Sequence, residues 1–327
     1  MTKPDRPLPT RRSLLGLAAA GTLLAGLPAA AQGKRPALLA TTGQVAELLR
    51  GVAGDLADVT SLMGEGIDPH SYKLTRADTV ALMQADAIFN SGLFLEGKMT
   101  EVLDRVAQGG KPVHAAASAI PLARLIGQEG EGSHPDPHVW MDVSLWSLAL
   151  EGVRGRLSTL YPDQAARFAA RTAQTLSLWR RLDDYARTAM ASVPANSRVL
   201  VTAHDAFSYF GRAYGLEVMG IQGISTESEA GLKRIESMVA LLVERRIPAV
   251  FVETSVSDRN VQALVQGAAA RGHTIRIGGA LYSDAMGPAG TYEGTYAGMI
   301  DHNVTTMARA LGGAPPAGGF QGRLAAR

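Results

Sequence analysis

The chain has 327 residues, 46% hydrophobic and 19% charged, with a formal net charge of +2 and no cysteine. That length allows two ordinary domains or one large one, and the balance is globular, able to bury a sizeable core. It excludes disulfides and thiolate metal sites, and past residue 31 there is no Lys/Arg run of the kind that binds nucleic acid.

Residues 1–31 read as an export signal peptide. Arg11-Arg12 precede a mild, Ala/Gly-rich apolar stretch that runs to Leu27, and Pro28 with Ala29-Ala30-Ala31 offers a small-residue cut before Gln32. The adjacent arginines point to the twin-arginine route. Left uncleaved, the segment would be a membrane anchor. Cleavage removes Lys3, Asp5, Arg6, Arg11 and Arg12, a net +3, and takes the formal charge from +2 to −1. Without cysteine the mature N-terminus carries no cysteine-linked lipid. No other segment approaches about 18 uninterrupted apolar residues, so a soluble periplasmic protein is expected.

Past the leader, apolar β-rich runs at 37–41, 58–63, 87–91 and 112–116 alternate with amphipathic stretches at 75–85 and 99–108. A long helical segment then starts at Pro162 and ends before Pro194. Phe168, Thr172, Leu176, Trp179, Leu182 and Ala186 recur along it at helical spacing, which gives it one buried face. A second series of strands follows at 198–203, 217–221, 249–254 and 274–278, with helices at 232–246 and 259–271. Near-continuous apolar strands separated by helices imply parallel sheets. The predicted fold is α/β: two lobes with parallel β-sheets flanked by helices, joined by one long linking helix. The predicted boundaries are 32–160 for the N-terminal lobe, 161–195 for the linking helix, 196–312 for the C-terminal lobe and 313–327 for a flexible tail rich in Gly, Ala and Pro.

Four side chains stand just past strands, where open α/β sheets bind their ligands. His70 lies in a loop between the strand ending near Met63 and a helix opened by the capping box of Thr75 and Asp78. His138 sits in a proline-stiffened loop, with Trp140 placed to pack beneath it and Asp136 or Asp142 as acceptor behind it. His204 ends the apolar run 199–203, and Asp205 reads as the N-cap of the next helix, whose face is Phe207, Phe210 and Tyr214. Asp284 follows the strand at Thr274. Taken singly, each has a plain alternative: a loop histidine, a core histidine, half of a His-Asp catalytic pair, or a solvated acid. Together, three imidazoles and one carboxylate suit a first-row divalent metal, not copper(I), calcium or magnesium. His114 and His273 lie at strand starts, and His302 on the terminal helix reads as packing or capping. His134 is a lesser candidate as an accessory ligand.

The chain resembles the TroA-like zinc/manganese solute-binding proteins of bacterial ABC importers, cluster A-I. The stretches that carry the resemblance are DPHSYKLTRAD at 68–78, DPHVWMDV at 136–143, TAHDAFSYFGRAYGLE at 202–217, IQGISTESEAG at 221–231, FVETSVSDRNV at 251–261 and LYSDAMGPAGTY at 281–292. They run in order over most of the mature chain. The resemblance implies metal ligands at His70, His138, His204 and Asp284, and a rigid linking helix. It also implies a monomer that carries Zn2+ or Mn2+ as cargo to a membrane permease. Val143 stands where family members often have proline. The segment 127–133 is short and holds no histidine, unlike the long His-rich loop of many zinc-specific members. His204, where manganese-preferring members have glutamate, moves the expectation back towards zinc or towards both metals. Monodentate Asp284 would give tetrahedral zinc, and bidentate Asp284 five donors. Because imidazoles must be neutral to bind, affinity is expected to fall below about pH 6.5.

Two other readings remain. A periplasmic zinc hydrolase would use Asp284, Glu227 or Glu229 as general base. A metal-buffering protein or adhesin would bind metal without a role in transport.

Overall fold

The β-rich runs form eight parallel strands, and the amphipathic stretches form the helices that cover them. The computed structural model describes residues 34–127 and 134–324. The expected export signal and most of the 127–133 segment lie outside the described residues. Residues 36–327 make up one compact unit. Lys34 and Arg35 end the preceding unit, of which nothing else is described.

In the first lobe, β1 (Ala37–Ala40), β2 (Asp58–Ser61), β3 (Ala87–Asn90) and β4 (Val113–Ala115) form a parallel sheet in the order β2-β1-β3-β4. In the second lobe, β5 (Val199–Thr202) pairs with β6 (Glu217–Gly220), and β7 (Ala249–Glu253) pairs with β8 (Arg276–Leu281). β5 and β7 pack side by side, so the second lobe repeats the strand order of the first. In both lobes the order reverses beside the first strand, the position at which such sheets open a crevice at their carboxyl ends.

The helices α1 (Gly43–Ala53), α2 (Arg76–Gln84), α3 (Thr100–Gln108) and α4 (Val143–Leu160) belong to the first lobe. The helices α6 (Ser208–Tyr214), α7 (Leu232–Glu244), α8 (Arg259–Ala270) and α9 (Tyr296–Ala310) belong to the second. The lobes are joined by α5 (Ala165–Ala191), 27 residues long, which begins after a 3-10 turn over Pro162–Gln164. It buries Phe168, Thr172, Trp179, Leu182 and Ala186 against α1, α4 and α9, the face expected from the sequence. The Thr75–Asp78 capping box is formed in both directions.

Three local features depart from the sequence reading. First, α1 and α4 are not singled out by it, because Gly51, Gly152 and Gly155 weaken their helical propensity by about 1 kcal/mol each. Packing supplies the reason for Gly152: an added Cβ there would lie 2.4 Å from Ala119 Cβ. Second, Asp205 is not the N-cap of α6. The helix starts three residues later, its N-cap position is Phe207, and Asp205 Oδ1 instead accepts from Ser208 Oγ at 2.8 Å. Third, in the segment after Gly312, expected to be flexible, Phe320 is buried against Tyr185, and its backbone N–H donates to the buried Asp301 Oδ1 at 2.8 Å.

Helix α9 is almost wholly buried and backs the loop that carries Asp284. A Cβ on Gly298 would stand 1.8 Å from the Tyr292 carbonyl oxygen, so glycine lets this loop close onto the first turn of α9. Gly298→Ala is therefore expected to destabilise the protein by about 3 kcal/mol, the upper end for overpacking. Urea unfolding checks it, and a stability equal to wild type would refute this reading.

Candidate metal centre

β5 ends in Thr202, and the chain turns at Ala203 so that His204 projects from the carboxyl end of the sheet. Thr202 Oγ1 donates to the His204 carbonyl at 2.8 Å and fixes that turn. The neighbouring strand β7 ends in Glu253, which holds His204 twice. Its Oε1 accepts from the His204 backbone N–H at 2.8 Å and its Oε2 from Nδ1 at 2.5 Å. With Nδ1 committed, Nε2 is the nitrogen left for a ligand.

His138 is held the same way from the other lobe. Asp136 Oδ1 accepts from the His138 backbone N–H at 2.9 Å and from Nδ1 at 2.7 Å. Trp140 packs edge-on against the ring with centroids 5.3 Å apart. Asp142 does not reach the ring; it caps α4 by accepting from Ser144 N and Leu145 N. His70 is set by Asp68, whose Oδ1 accepts from its backbone N–H at 2.9 Å.

The structure brings these three imidazoles and Asp284 together, with one donor atom from each within 4.8 Å of the others. His70 Nε2 and His138 Nε2 are 3.2 Å apart. Asp284 Oδ1 is 3.2 Å from His138 Nε2, and Oδ2 is 3.1 Å from His204 Nε2. All four residues are buried, none more than 5% exposed. Beyond these contacts with one another, His204 Nε2 and both Asp284 oxygens meet no other polar protein group. Buried polar atoms turned only towards one another fit a shared cation.

The electrostatics follow from this packing. Burial pulls the His138 imidazole down, but the Asp136 and Asp284 carboxylates outweigh it and raise it to about 9. His204 behaves alike: burial lowers it, and Glu253 and Asp284 hold it well above the usual imidazole range. Burial lowers His70 to about 4, with the neighbouring His138 and His204 adding to the effect against the pull of Asp284. Burial pushes the Asp284 carboxyl up, and the two flanking imidazoles more than reverse this, holding it well below the usual carboxylate range.

The other sequence candidates do not join the cluster. His134 stacks on Phe94 with ring centroids 4.3 Å apart. His273 Nε2 donates to the Ile247 carbonyl and His302 Nε2 to that of Ala280. Glu227 pairs with Lys98 at 2.9 Å, and Glu229 accepts from Asn260 at 3.4 Å. Glu253 was missed in the sequence, where its signal is an acid closing an apolar strand inside the FVETSVSDRNV stretch.

The lobes meet around the cluster through specific bonds. Trp140 Nε1 donates to the Ser283 carbonyl at 3.0 Å, and the Tyr296 hydroxyl donates to the Trp140 carbonyl at 2.8 Å. The Tyr209 hydroxyl donates to the Asp136 carbonyl at 2.8 Å, and Thr226 Oγ1 to Asp68 Oδ2 at 2.6 Å.

Known metal-binding proteins are similar to this chain in sequence and fold. The manganese-binding lipoprotein MntA of Bacillus subtilis (strain 168) is 48% identical over 272 residues, 83% of this chain and 88% of that protein. The zinc-binding protein TroA of Treponema pallidum (strain Nichols) is 45% identical over 284 residues, 86% of this chain and 91% of that protein. The solved structure of the periplasmic zinc-binding protein TroA from Treponema pallidum superposes with a TM-score of 0.82 at 44% identity, covering 85% of this chain and 99% of that one. The family model described as ZnuA, zinc-uptake complex component A, periplasmic, matches residues 38–310, and the chain belongs to that family.

Proposed function

We propose that this protein captures one divalent transition-metal ion, Zn2+ or Mn2+, between its lobes and delivers it to the permease of an ABC importer. The observation that carries the reading is the buried set of His70, His138, His204 and Asp284, with one ligand atom of each turned to a common point. The three Nε2 atoms and the Asp284 carboxylate are the ligands. Both Asp284 oxygens face the centre, each towards a different imidazole, which supports bidentate binding and five donors. Such a set tolerates manganese as well as zinc, while intrinsic affinity favours zinc. One relative named for manganese and one named for zinc fit that breadth.

Capture, not catalysis, is the reading, because catalytic zinc keeps a position open for water and here the protein supplies every donor. The organisation proposed is a cleaved leader at 1–31, lobes at 32–160 and 196–312 around the linking helix at 161–195, and a tail at 313–327. No described helix is long and apolar enough to cross a membrane. A periplasmic monomer without a lipid anchor and without nucleic-acid partners completes the proposal; the absence of cysteine supports the missing anchor.

Titration of the metal-free protein against a chromophoric chelator tests it. One zinc per chain is expected, with manganese bound more weakly at the same site. No saturable uptake of either ion would end the reading. Loss of metal-limited growth on deleting the gene would support delivery to a permease, and unaffected growth would favour metal buffering.

The Glu253 carboxylate orients His204 and raises its basicity. Glu253→Gln is therefore expected to weaken zinc binding about 10- to 100-fold, the usual cost of losing such support. Chelator competition measures this. An unchanged constant would make Glu253 a structural acid only.

A further inference from the structure

Each imidazole of the cluster is set by a carboxylate: His204 by Glu253, His138 by Asp136, and His70 through its backbone N–H by Asp68. Asp284 has no such support. Beyond the two imidazoles its oxygens meet no polar protein group, so the backbone that carries the side chain sets its direction.

That backbone is held at the two residues ahead of Asp284. Asn303, fully buried on α9, takes both backbone polar groups of Tyr282. Its Oδ1 accepts from the Tyr282 N–H at 2.9 Å, and its Nδ2 donates to the Tyr282 carbonyl at 2.6 Å. Only one orientation of the amide satisfies both bonds. The next carbonyl, that of Ser283, accepts from Trp140 Nε1 at 3.0 Å and from Nε2 of the buried Gln44, on α1, at 3.3 Å. Asp284 thus follows a strand of the second lobe, and side chains of both lobes fix its approach.

What this fixing controls is the number of oxygens offered to the ion. One Asp284 oxygen lies 3.2 Å from His138 Nε2 and the other 3.1 Å from His204 Nε2. With the backbone loosened, the carboxylate is free to turn and keep a single oxygen on the metal. Zinc is satisfied by a tetrahedron of four donors, whereas manganese favours more donors and oxygen among them. Loss of one oxygen therefore costs manganese more than zinc.

We propose that Asn303 and Gln44 are positioning residues that lock Asp284 with both oxygens on the ion, and that this lock lets the site hold manganese beside zinc. The inference rests on the metal-capture reading given above, with its five donors.

Asn303→Leu and Gln44→Met provide the test. Gln44 Oε1 is buried without a partner, so methionine removes an orphaned group along with one bond, and the fold survives. Trp140 is left in place because its ring packs against His138. Chelator competition gives the Kd for zinc and for manganese in each full-length variant. Manganese affinity is expected to fall about ten-fold or more in Asn303→Leu and about three-fold in Gln44→Met, whose bond is longer, with zinc within about two-fold in both. Cobalt(II) reports the geometry: its visible bands are weak for five donors in the wild type and intensify towards the tetrahedral pattern in Asn303→Leu. A merely structural role lowers stability and both affinities together and leaves the cobalt spectrum as it was. An unchanged manganese-to-zinc ratio in Asn303→Leu, or a tetrahedral cobalt spectrum in the wild type, overturns the lock. If Asn303→Leu does not fold, an unchanged ratio in Gln44→Met overturns it instead. Wild-type protein that binds neither ion ends the capture reading and this one together, whereas wild-type binding with the ratio unaltered in the variants ends the lock alone.

Discussion

Asp284→Ala is expected to lower zinc affinity by more than about 100-fold, beyond the range for losing a supporting residue. Asp284 is the one carboxylate among the four clustered residues, and each of its oxygens faces a different imidazole. Its removal takes away up to two donors and the negative charge that offsets the cation in a buried site. Asp284→Asn keeps the shape and loses the charge, so it separates the two contributions: an intermediate affinity is expected. The stabilisation conferred by metal should shrink in parallel. At a free metal concentration 100 times Kd it is about 2.7 kcal/mol in the wild type, and at the same concentration it nearly vanishes in the variant. Chelator competition and thermal unfolding with and without zinc are the measurements. A change in Kd below about ten-fold would remove Asp284 from the ligand set.

Zinc loading at neutral pH is expected to release protons, and zinc affinity to keep rising with pH well past 6.5. His138 is raised to about 9 and His204 well above its ordinary value by the carboxylates around them, so both hold protons in the metal-free protein at pH 7. A metal ion must displace them. His70, lowered to about 4, is already neutral, and Asp284, held low, is already charged, so neither contributes. Each displaced proton gives a factor of about 10 per pH unit, so two give up to about 100-fold per unit. The rise ends once the metal-free imidazoles have lost their protons, near pH 9 for His138. The sequence alone led to an expected fall only below the free imidazole value of about 6.5. The same shifts predict how the metal-free protein responds to pH. A group whose folded pKa is raised gives stability that is complete below the unfolded value and is lost as pH climbs through the folded value. The metal-free protein should therefore weaken between about pH 6.5 and 9. Titration calorimetry in buffers of different ionisation enthalpy counts the protons. A zinc affinity that levels off by pH 7 would show that these imidazoles are neutral in the metal-free state.

Much of the site was legible before any coordinates. His204 and Asp284 follow directly on β5 and β8, as the apolar runs before them suggest, whereas His70 lies in a longer loop after β2 and His138 is separated from β4 by two 3-10 turns, so His138 is not a strand-end residue. Glu253 was not legible as the partner of His204, because 49 residues separate them and only the adjacency of β5 and β7 puts carboxylate beside imidazole. Asp205 read as a helix cap because Asp before an amphipathic run usually is one. In the fold, the chain makes one further turn before α6 begins at Ser208. Helices α1 and α4 were hidden because their glycines lower local propensity. Those glycines serve contacts made with distant segments, Ala119 against Gly152 for example.

The sequence by itself determined the class of fold, the eight strands, the long linking helix and the identity of the four clustered side chains. These are set by periodicity and by residue chemistry, both local along the chain. The tertiary structure decided what those side chains are. By packing β5 beside β7 and closing one lobe on the other, it buried the four groups, gave His204 and His138 a carboxylate each at Nδ1, and set the two Asp284 oxygens against their Nε2 atoms. Proton affinity depends on which distant groups share a desolvated volume, and only the folded chain brings those groups together.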